Sequence, residues 1–327
     1  FVRKEGGVMK IVVLDGYTEN PGDLSWDGLE KLGDLTVYDR TPKELVAERM
    51  QGAEAVFTNK TVIREEDMAK CQTLRFIGVL ATGYNIVDLD GARKHQITVS
   101  NVPAYSTRTV AQFTMALLLE MCDHVGEHSR AVKEGEWSNC IDFCFWKYPL
   151  IELAGKTMGI IGYGRIGQEV AKIARAFGME VIVSSHHKIA EELLSDGIRS
   201  AGLEEVFGQA DIITLHCPLT EETKELICKD SIARMKDGVK IINTGRGPLI
   251  NEQDLADALK SGKVSGAAVD VASVEPIPAE SPLLTAPNMI ITPHIAWAAK
   301  EARERLMDIT VQNLEAYINV NPIHVLS

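Results

Sequence analysis

TMGIIGYGRIGQEVAKIARAFG, residues 157–178, runs from a short β-branched strand through a glycine-rich turn into a helical stretch. Gly162, Gly164 and Gly167 have the G-x-G-x-x-G spacing, and the strand before it and helix after it give that spacing meaning. The first glycine permits the tight turn, the second lets the backbone approach a pyrophosphate, and the third lets helix and strand pack closely. The helix N-terminus then offers unpaired N–H groups and a positive dipole to phosphate. A dinucleotide is the expected ligand; the plainer alternative is a glycine-rich turn with none.

The next strand, EVIVSS at 180–185, ends where an Asp or Glu would hydrogen-bond the adenosine ribose of NAD. Here Ser185 stands at that point, followed by His186, His187 and Lys188. A carboxylate would repel a 2′-phosphate, whereas a hydroxyl beside a potentially cationic cluster accepts one. The expectation is NADP(H) as preferred cofactor with NAD(H) possible; the bland reading is a polar, solvated loop.

On either side of this unit, short apolar runs alternate with helical stretches. KIVVLD at 10–15, LTVYDR at 35–40, EAVFTN at 54–59, LRFIGVLA at 74–81 and ITVSNV at 97–102 form one series. TMGIIG at 157–162, EVIVSS at 180–185, DIITLHC at 211–217, VKIINT at 239–244, GAAVDV at 266–271 and MIITPH at 289–294 form another. Such alternation predicts two doubly wound parallel sheets of the α/β class. Between the series, Val110, Phe113, Leu117, Met121 and Val125 recur at helical spacing and predict one long helix crossing between the domains. A last helix, from about residue 298 to 319, follows the second sheet and is expected to return to the first domain. The predicted organisation is a discontinuous domain of residues 9–102 plus 298–327 and a dinucleotide-binding domain of residues 103–297. Residues 1–8, ahead of Met9, read as an upstream extension.

Composition narrows the function classes. The 327 residues suffice for two domains with their own cores, and 34 basic against 46 acidic side chains leave a net charge of −12. That balance lacks the cationic surplus of a nucleic-acid or anionic-membrane binder. The most apolar stretch, Val110 to Cys122, contains Gln112 and Glu120 and is too short to span a bilayer. The opening residues lack the long apolar centre of a secretory signal, so a cytoplasmic protein is expected. The six cysteines form no C-x-x-C pair and read as reduced, buried thiols.

Three ionisable residues fall at or just beyond late strands of the second series: Arg246 in NTGRGPLIN, Glu275 in DVASVEPIP and His294 in ITPHIAW. Ligands bind at the carboxyl ends of such strands. An arginine to pair with a carboxylate, a histidine to protonate a developing alkoxide and a carboxylate to keep that histidine protonated and oriented are what reduction of a 2-oxo acid needs. Taken singly, each has a bland reading as a surface ion pair, a turn residue or a packed histidine.

GIIGYGRIGQEV, NTGRGPLIN, AAVDVASVEP and TPHIAW, in this order, resemble the signatures of the D-isomer-specific 2-hydroxyacid dehydrogenases over nearly the whole chain. IGVLATGYNIVDLDGA, NVPAYSTRTVAQFTMALLLE and DFCFW look most like the bacterial glycerate dehydrogenases, or hydroxypyruvate reductases. The resemblance implies a flavodoxin-like substrate domain and a Rossmann dinucleotide-binding domain. It implies that Arg246 holds the substrate carboxylate and carbonyl, that His294 is the general acid/base and that Glu275 partners it. It implies cofactor contacts from Gly162, Gly164, Arg165, Ile166 and Gly167 at the phosphates, and from Ser185, His186 and Lys188 at the ribose. Cys217 and Pro218 would flank the adenine side, and Thr223 would also contact the cofactor. Thr244, Gly245, Asp270 and His294 would lie near the nicotinamide, with Thr82 reaching it from the other domain. Leu80, Ala81, Thr82 and Gly83 would lend backbone N–H groups to the substrate carboxylate. Asn85 and Ile86 stand where many relatives have an Asp-Asn pair.

The implied reaction reduces hydroxypyruvate or glyoxylate to the D-2-hydroxy acid, with domain closure expelling water. A larger 2-oxo acid is one alternative, and a dinucleotide-sensing binding protein like the related transcriptional corepressors is another. Formate dehydrogenases, similar in the cofactor loop, have Gln where Glu275 stands. The string His124-Val-Gly-Glu127-His128 fits the H-x-x-E-H zinc pattern, but Gly126 weakens the helix and a solvated helix face explains it equally well, so no metal is expected. The resemblance also implies a homodimer, with Val110 to Trp146 reaching to the partner; CIDFCFW, 140–146, would be covered there or else packed in the core.

Overall fold

A computed structural model describes residues 8–194 and 197–327, so the reading of residues 1–8 as an extension lies, but for Val8, outside the described residues. The chain divides into two compact units: one takes the chain up to Ser106 together with Ala298–Ser327, the other is Thr107–Trp297.

The first unit is built on five parallel strands, β1 (Lys10–Val13), β2 (Asp34–Val37), β3 (Ala55–Thr58), β4 (Phe76–Val79) and β5 (Thr98–Ser100), in the order β2-β1-β3-β4-β5. Side chains alternate between the faces of a strand, and both faces here are buried: Val12, Val56, Ile77 and Val99 join one apolar cluster, while Ile11, Ala55, Phe57 and Phe76 are buried opposite. The helix Lys300–Ile318 packs on β4, bringing Tyr317 to 5.0 Å from the Phe76 ring. Arg303 of that helix grips Asp23 through both guanidinium nitrogens, at 2.8 and 2.7 Å, and donates to the Glu19 carbonyl at 2.9 Å.

The second unit has seven parallel strands: β6 (Thr157–Ile161), β7 (Glu180–Ser184), β8 (Ile198–Ser200), β9 (Ile212–Leu215), β10 (Val239–Asn243), β11 (Val264–Val269) and β12 (Met289–Ile291). Their order is β12-β11-β10-β9-β6-β7-β8. From β6 the chain winds outward to β8 and then returns to β9 on the other side, pairing Met158 with Ile212 and Ile161 with Leu215. Loops after β6 and β9 therefore diverge at a topological switch point, where α/β sheets place ligands. Neighbouring residues feed opposite cores: Ile161, Ile213, Ile241 and Val269 on one face, Ile160, Ile212, Ile242 and Ala268 on the other. The doubly wound parallel architecture expected from the alternation is thus present in both units.

Three local expectations need correction. The helix predicted to run through Val125 is two helices, Thr107–Asp123 and Val125–Lys133, because His124 adopts a left-handed backbone (φ 50°). Val110, Leu117 and Met121 are buried on one face as predicted, but Val125, beyond the break, is 62% exposed. The cysteines are free, as expected, yet only Cys71 and Cys122 are buried; Cys140, Cys217 and Cys228 are intermediate and Cys144 is exposed. Apolar neighbours in sequence did not enclose Cys144 because CIDFCFW is not core: Ile141 is 98% and Phe143 89% exposed. Among the described residues no helix is long and apolar enough to cross a membrane.

Candidate active site

The glycine loop after β6 tests whether the second unit can accept a dinucleotide. Gly162 has φ 98°, a left-handed region that side chains disfavour, and a Cβ there would strike the backbone of His216 and Cys217 after β9. A Cβ on Gly167 would strike the Gly162 carbonyl, so the helix packs directly on the turn. Gly164, by contrast, has nothing within 4 Å of an added Cβ and caps the helix Arg165–Ala176. Two glycines thus serve close packing and the middle one faces open space before a helix N-terminus, the arrangement a pyrophosphate needs. The residues present fit a dinucleotide.

Around this loop, Ser185, His186 and Lys188 are exposed beyond β7, and the His186 imidazole lies 3.9 Å from the Glu222 carboxylate. Cys217 is partly buried, which pushes its thiol up, and Pro218 is exposed. Thr223 donates to the Pro218 carbonyl at 2.7 Å and so closes its own loop. Burial pushes the His216 imidazole down to about 4, leaving it neutral beneath the glycine loop, 2.9 Å from the Thr214 hydroxyl.

Thr244, Gly245 and Arg246 follow β10. Asn243, buried at the strand end, accepts from Gly245 N–H at 3.0 Å and donates to the Arg246 carbonyl at 2.8 Å, so its side chain shapes the turn that carries Arg246. Arg246 is exposed and donates to the Gly245 carbonyl at 2.8 Å. The Thr244 hydroxyl lies 3.0 Å from that of Thr114, which donates to the Val110 carbonyl at 2.9 Å; with its own proton so engaged, Thr114 receives the proton of Thr244. A Cβ on Gly247 would strike the backbone of Ala272 and Ser273, so the Arg246 turn packs on the loop leading to Glu275.

His294 and Glu275 meet across the loops after β12 and β11: Nδ1 lies 2.7 Å from Oε2, and Oε1 accepts from the Ala272 N–H at 3.0 Å. His294 has φ 54°, an uncommon backbone for a residue with a Cβ. Asp270, 1% exposed, holds it there: its carboxylate accepts from Thr292 Oγ1 at 2.6 Å, Ile295 N–H at 2.9 Å and Ala296 N–H at 2.8 Å, bracketing His294 on both sides. The sequence reading gave Asp270 to the cofactor and missed its hold on this loop, as it missed Asn243 and Thr114. No local pattern marks such residues; their partners lie far away in the chain.

In the first unit, the carbonyls of Leu80, Ala81 and Thr82 all turn inward. They accept from Asn59 Nδ2 at 2.6 Å, Val102 N–H at 3.1 Å and Asn101 Nδ2 at 2.7 Å. A trans peptide points its N–H opposite to its carbonyl, so the amides of Ala81, Thr82 and Gly83 face away from these partners. The Thr82 side chain donates to the Val102 carbonyl at 2.8 Å.

The zinc-like string is tied up locally: His128 contacts the His124 carbonyl at 2.8 Å and accepts from Lys147 N–H at 3.1 Å, and Glu127 accepts from Tyr148 at 2.9 Å. Among the described residues no group of three or more His, Cys, Asp or Glu side chains is placed to hold a metal.

Comparison with known proteins identifies the family. Residues 115–296 match the family model described as D-isomer specific 2-hydroxyacid dehydrogenase, NAD binding domain. The chain is 55% identical over 322 residues to the hydroxypyruvate reductase of Blautia hydrogenotrophica, covering 98% of this chain and 100% of that one. It is 39% identical to the glycerate dehydrogenase of Methylorubrum extorquens, covering 88% and 89% of the two chains. Among solved structures it resembles the acyclic imino acid reductase Bsp5 in complex with NADPH and D-Arg, with a TM-score of 0.83 and 30% identity over 98% of this chain and 100% of that one. The chain therefore belongs to the D-isomer specific 2-hydroxyacid dehydrogenase family, an oxidoreductase with the family's NAD-binding domain and a nicotinamide dinucleotide as cofactor.

Proposed function

We propose that this protein reduces hydroxypyruvate or glyoxylate to the corresponding D-2-hydroxy acid, with NADPH preferred over NADH. The 2.7 Å contact of His294 with Glu275 carries the chemical part of this reading, and the hydroxypyruvate reductase of Blautia hydrogenotrophica supports the substrate class.

When bound, the reduced nicotinamide supplies the hydride to the substrate's carbonyl carbon. Glu275 accepts the Nδ1 proton of His294, which fixes the ring and leaves Nε2 to donate the second proton to the carbonyl oxygen. In the reverse direction Nε2 takes that proton back. Arg246, on the turn shaped by Asn243, pairs its fork of N–H groups with the substrate carboxylate and carbonyl. The outward amides of Ala81, Thr82 and Gly83 add neutral donors for the carboxylate. Gly162 to Gly167 and the helix that follows take the pyrophosphate, Cys217 and Pro218 line the adenine side, and Thr223 also contacts the cofactor. Thr244, Gly245, Asp270 and Thr82 border the nicotinamide.

Ser185, His186 and Lys188 favour a 2′-phosphate because a hydroxyl and an amine replace the carboxylate that would repel it. The exposed run Ile141 to Trp146 fits a homodimer, since Ile141 at 98%, Phe143 at 89% and Trp146 at 65% exposure form an apolar patch on an isolated chain. We place the enzyme in the cytoplasm, where thiols such as that of exposed Cys144 stay reduced.

The test is loss of reduced-nicotinamide absorbance with hydroxypyruvate, glyoxylate, pyruvate and 2-oxoisocaproate, each against NADPH and NADH. Fast oxidation of NADPH with hydroxypyruvate is expected. Turnover of 2-oxoisocaproate alone would replace the substrate assignment, and activity confined to NADH would overturn the cofactor preference.

A further inference from the structure

Two carboxylates sit at the carboxyl end of the first sheet, where β1 and β3 diverge, and their surroundings are opposite. Asp15 accepts from the N–H groups of Asn59 at 2.8 Å and of Lys60 and Thr61 at 2.7 Å each, and from the Thr61 hydroxyl at 3.0 Å. That is the donor set of an ionised carboxylate. Glu19 is 0% exposed, yet among the described residues its side chain has one hydrogen-bond donor, Asn59 Nδ2 to Oε1, and Oε2 is buried with no hydrogen-bond partner. An ionised carboxylate buried with one donor is far costlier than a neutral acid there.

The same Asn59 amide group also donates to the Leu80 carbonyl at 2.6 Å. Glu19 and Leu80 therefore share one buried asparagine, and that asparagine turns the first peptide of the Leu80–Gly83 loop so that the Ala81 N–H faces outward. We propose that Glu19 is a positioning residue that acts as a neutral carboxylic acid: through Asn59 it sets the Leu80–Gly83 loop for an anionic substrate, and loss of its proton releases that setting. The role rests on the reading above that this loop binds the substrate carboxylate.

Charged groups around Glu19 pull in both directions. Lys60 and Arg303 favour its ionised form, Asp15 opposes it, and Arg303 is itself paired with Asp23. Burial outweighs them and pushes the Glu19 carboxyl up to about 8. Below that pH the loop is set; above it an anion appears beneath the loop, drawing the Asn59 amide toward Glu19 and away from the Leu80 carbonyl, and repelling a substrate carboxylate.

Glu19→Gln keeps an acceptor for Asn59 and never ionises, so it mimics the neutral acid. Between about pH 7 and about pH 9 the wild-type KM for hydroxypyruvate is expected to rise several-fold, roughly three- to tenfold, relative to that of E19Q, with the ratio of their kcat values unchanged. Every other side chain is common to both proteins, so the ratio isolates Glu19. Identical KM profiles would overturn the proposal. A second readout needs no substrate. The native state holds a proton that the unfolded chain releases, so wild-type stability falls as pH rises toward about 8, and the Tm of E19Q should gain on wild type over that range. A Tm difference independent of pH would also overturn it. Absence of turnover with every 2-oxo acid, alongside a widening Tm gap, would instead sink the substrate reading and with it the positioning role, while leaving the buried neutral acid.

Discussion

Glu275 Oε2 stands 2.7 Å from His294 Nδ1, while its other oxygen is anchored by the Ala272 N–H at 3.0 Å. The carboxylate is therefore fixed at one end by backbone and at the other fixes a ring, a division that aims His294 Nε2 without help from a ligand. Glu275→Gln keeps the shape but offers an amide where a carboxylate stabilised the charged imidazole. His294→Ala should lower kcat by about 10²–10⁴-fold, the usual worth of a general acid/base. Glu275→Gln should lose less, at least about tenfold, and change the pH profile of kcat/KM, whereas H294A flattens it. Cofactor affinity, read by fluorescence titration, should be nearly unchanged in both; a twofold loss of kcat in H294A would remove the assignment.

Asp270 holds the backbone on either side of His294. Its three bonds to Thr292, Ile295 and Ala296 are all accepted, so Asp270→Asn must turn one N–H-bearing face toward a donor. The mismatch in a buried site is expected to cost about 1–3 kcal/mol of stability and to loosen the left-handed His294. Thermal unfolding measures the first effect. Slower turnover in D270N with NAD(P)H affinity retained would mark loss of aim; weaker cofactor binding with kcat retained would mean that Asp270 serves the nicotinamide alone.

The proposed cofactor preference can be tested first at Ser185. Replacing Ser185 by Asp supplies the carboxylate that hydrogen-bonds a ribose and repels a 2′-phosphate, so kcat/KM with NADPH should fall at least about tenfold while that with NADH holds or rises. Glu222 already stands 3.9 Å from His186, both of them about four-fifths exposed, and a neutral Glu222→Gln should move the preference the other way, more so at low salt. Equal use of both cofactors by wild type and S185D would detach Ser185 from the choice.

The apolar run Ile141 to Trp146 should report on assembly. Replacing Phe143 and Trp146 by Ser removes exposed apolar surface, so it should leave Tm of an isolated chain little changed but convert a dimer to a monomer in light scattering. A wild-type protein that is monomeric at working concentration would discard the dimer.

Much of the architecture was legible because the strands are buried on both faces and so appear as unbroken apolar runs. The runs overshoot the paired strands at their carboxyl ends: LRFIGVLA at 74–81 yields only Phe76–Val79, and MIITPH at 289–294 only Met289–Ile291. Leu80, Ala81 and His294, to which the proposed reaction assigns roles, lie in those overhangs. The edge strand Ile198–Ser200 escaped notice because one buried residue in three leaves no pattern, and the break at His124 because a left-handed histidine has no sequence mark. The His294–Glu275 pairing followed from residue types placed at strand ends. The supports behind it did not, because Asp270, Asn243 and Thr114 act through contacts that only the folded chain creates.

The last helix, besides burying Leu306 and Leu314, is tied to the first unit by a charge pair with a definite pH signature. Arg303, 9% exposed, grips Asp23 with both guanidinium nitrogens, and these hydrogen bonds hold the Asp23 carboxyl below its ordinary value. A depressed acid contributes stability that is present above its unfolded pKa, about 3.9, and is lost as pH falls through the lower folded value. Asp23→Asn should therefore lower Tm at neutral pH, and the gap to wild type should close as the solution is made acid enough to protonate Asp23. Arg303 also donates to the Glu19 carbonyl at 2.9 Å, so Arg303→Met should lower Tm more than D23N does, by leaving that carbonyl without its buried donor as well. A D23N deficit that persists unchanged into acid would mean that shape rather than charge joins the helix to the sheet.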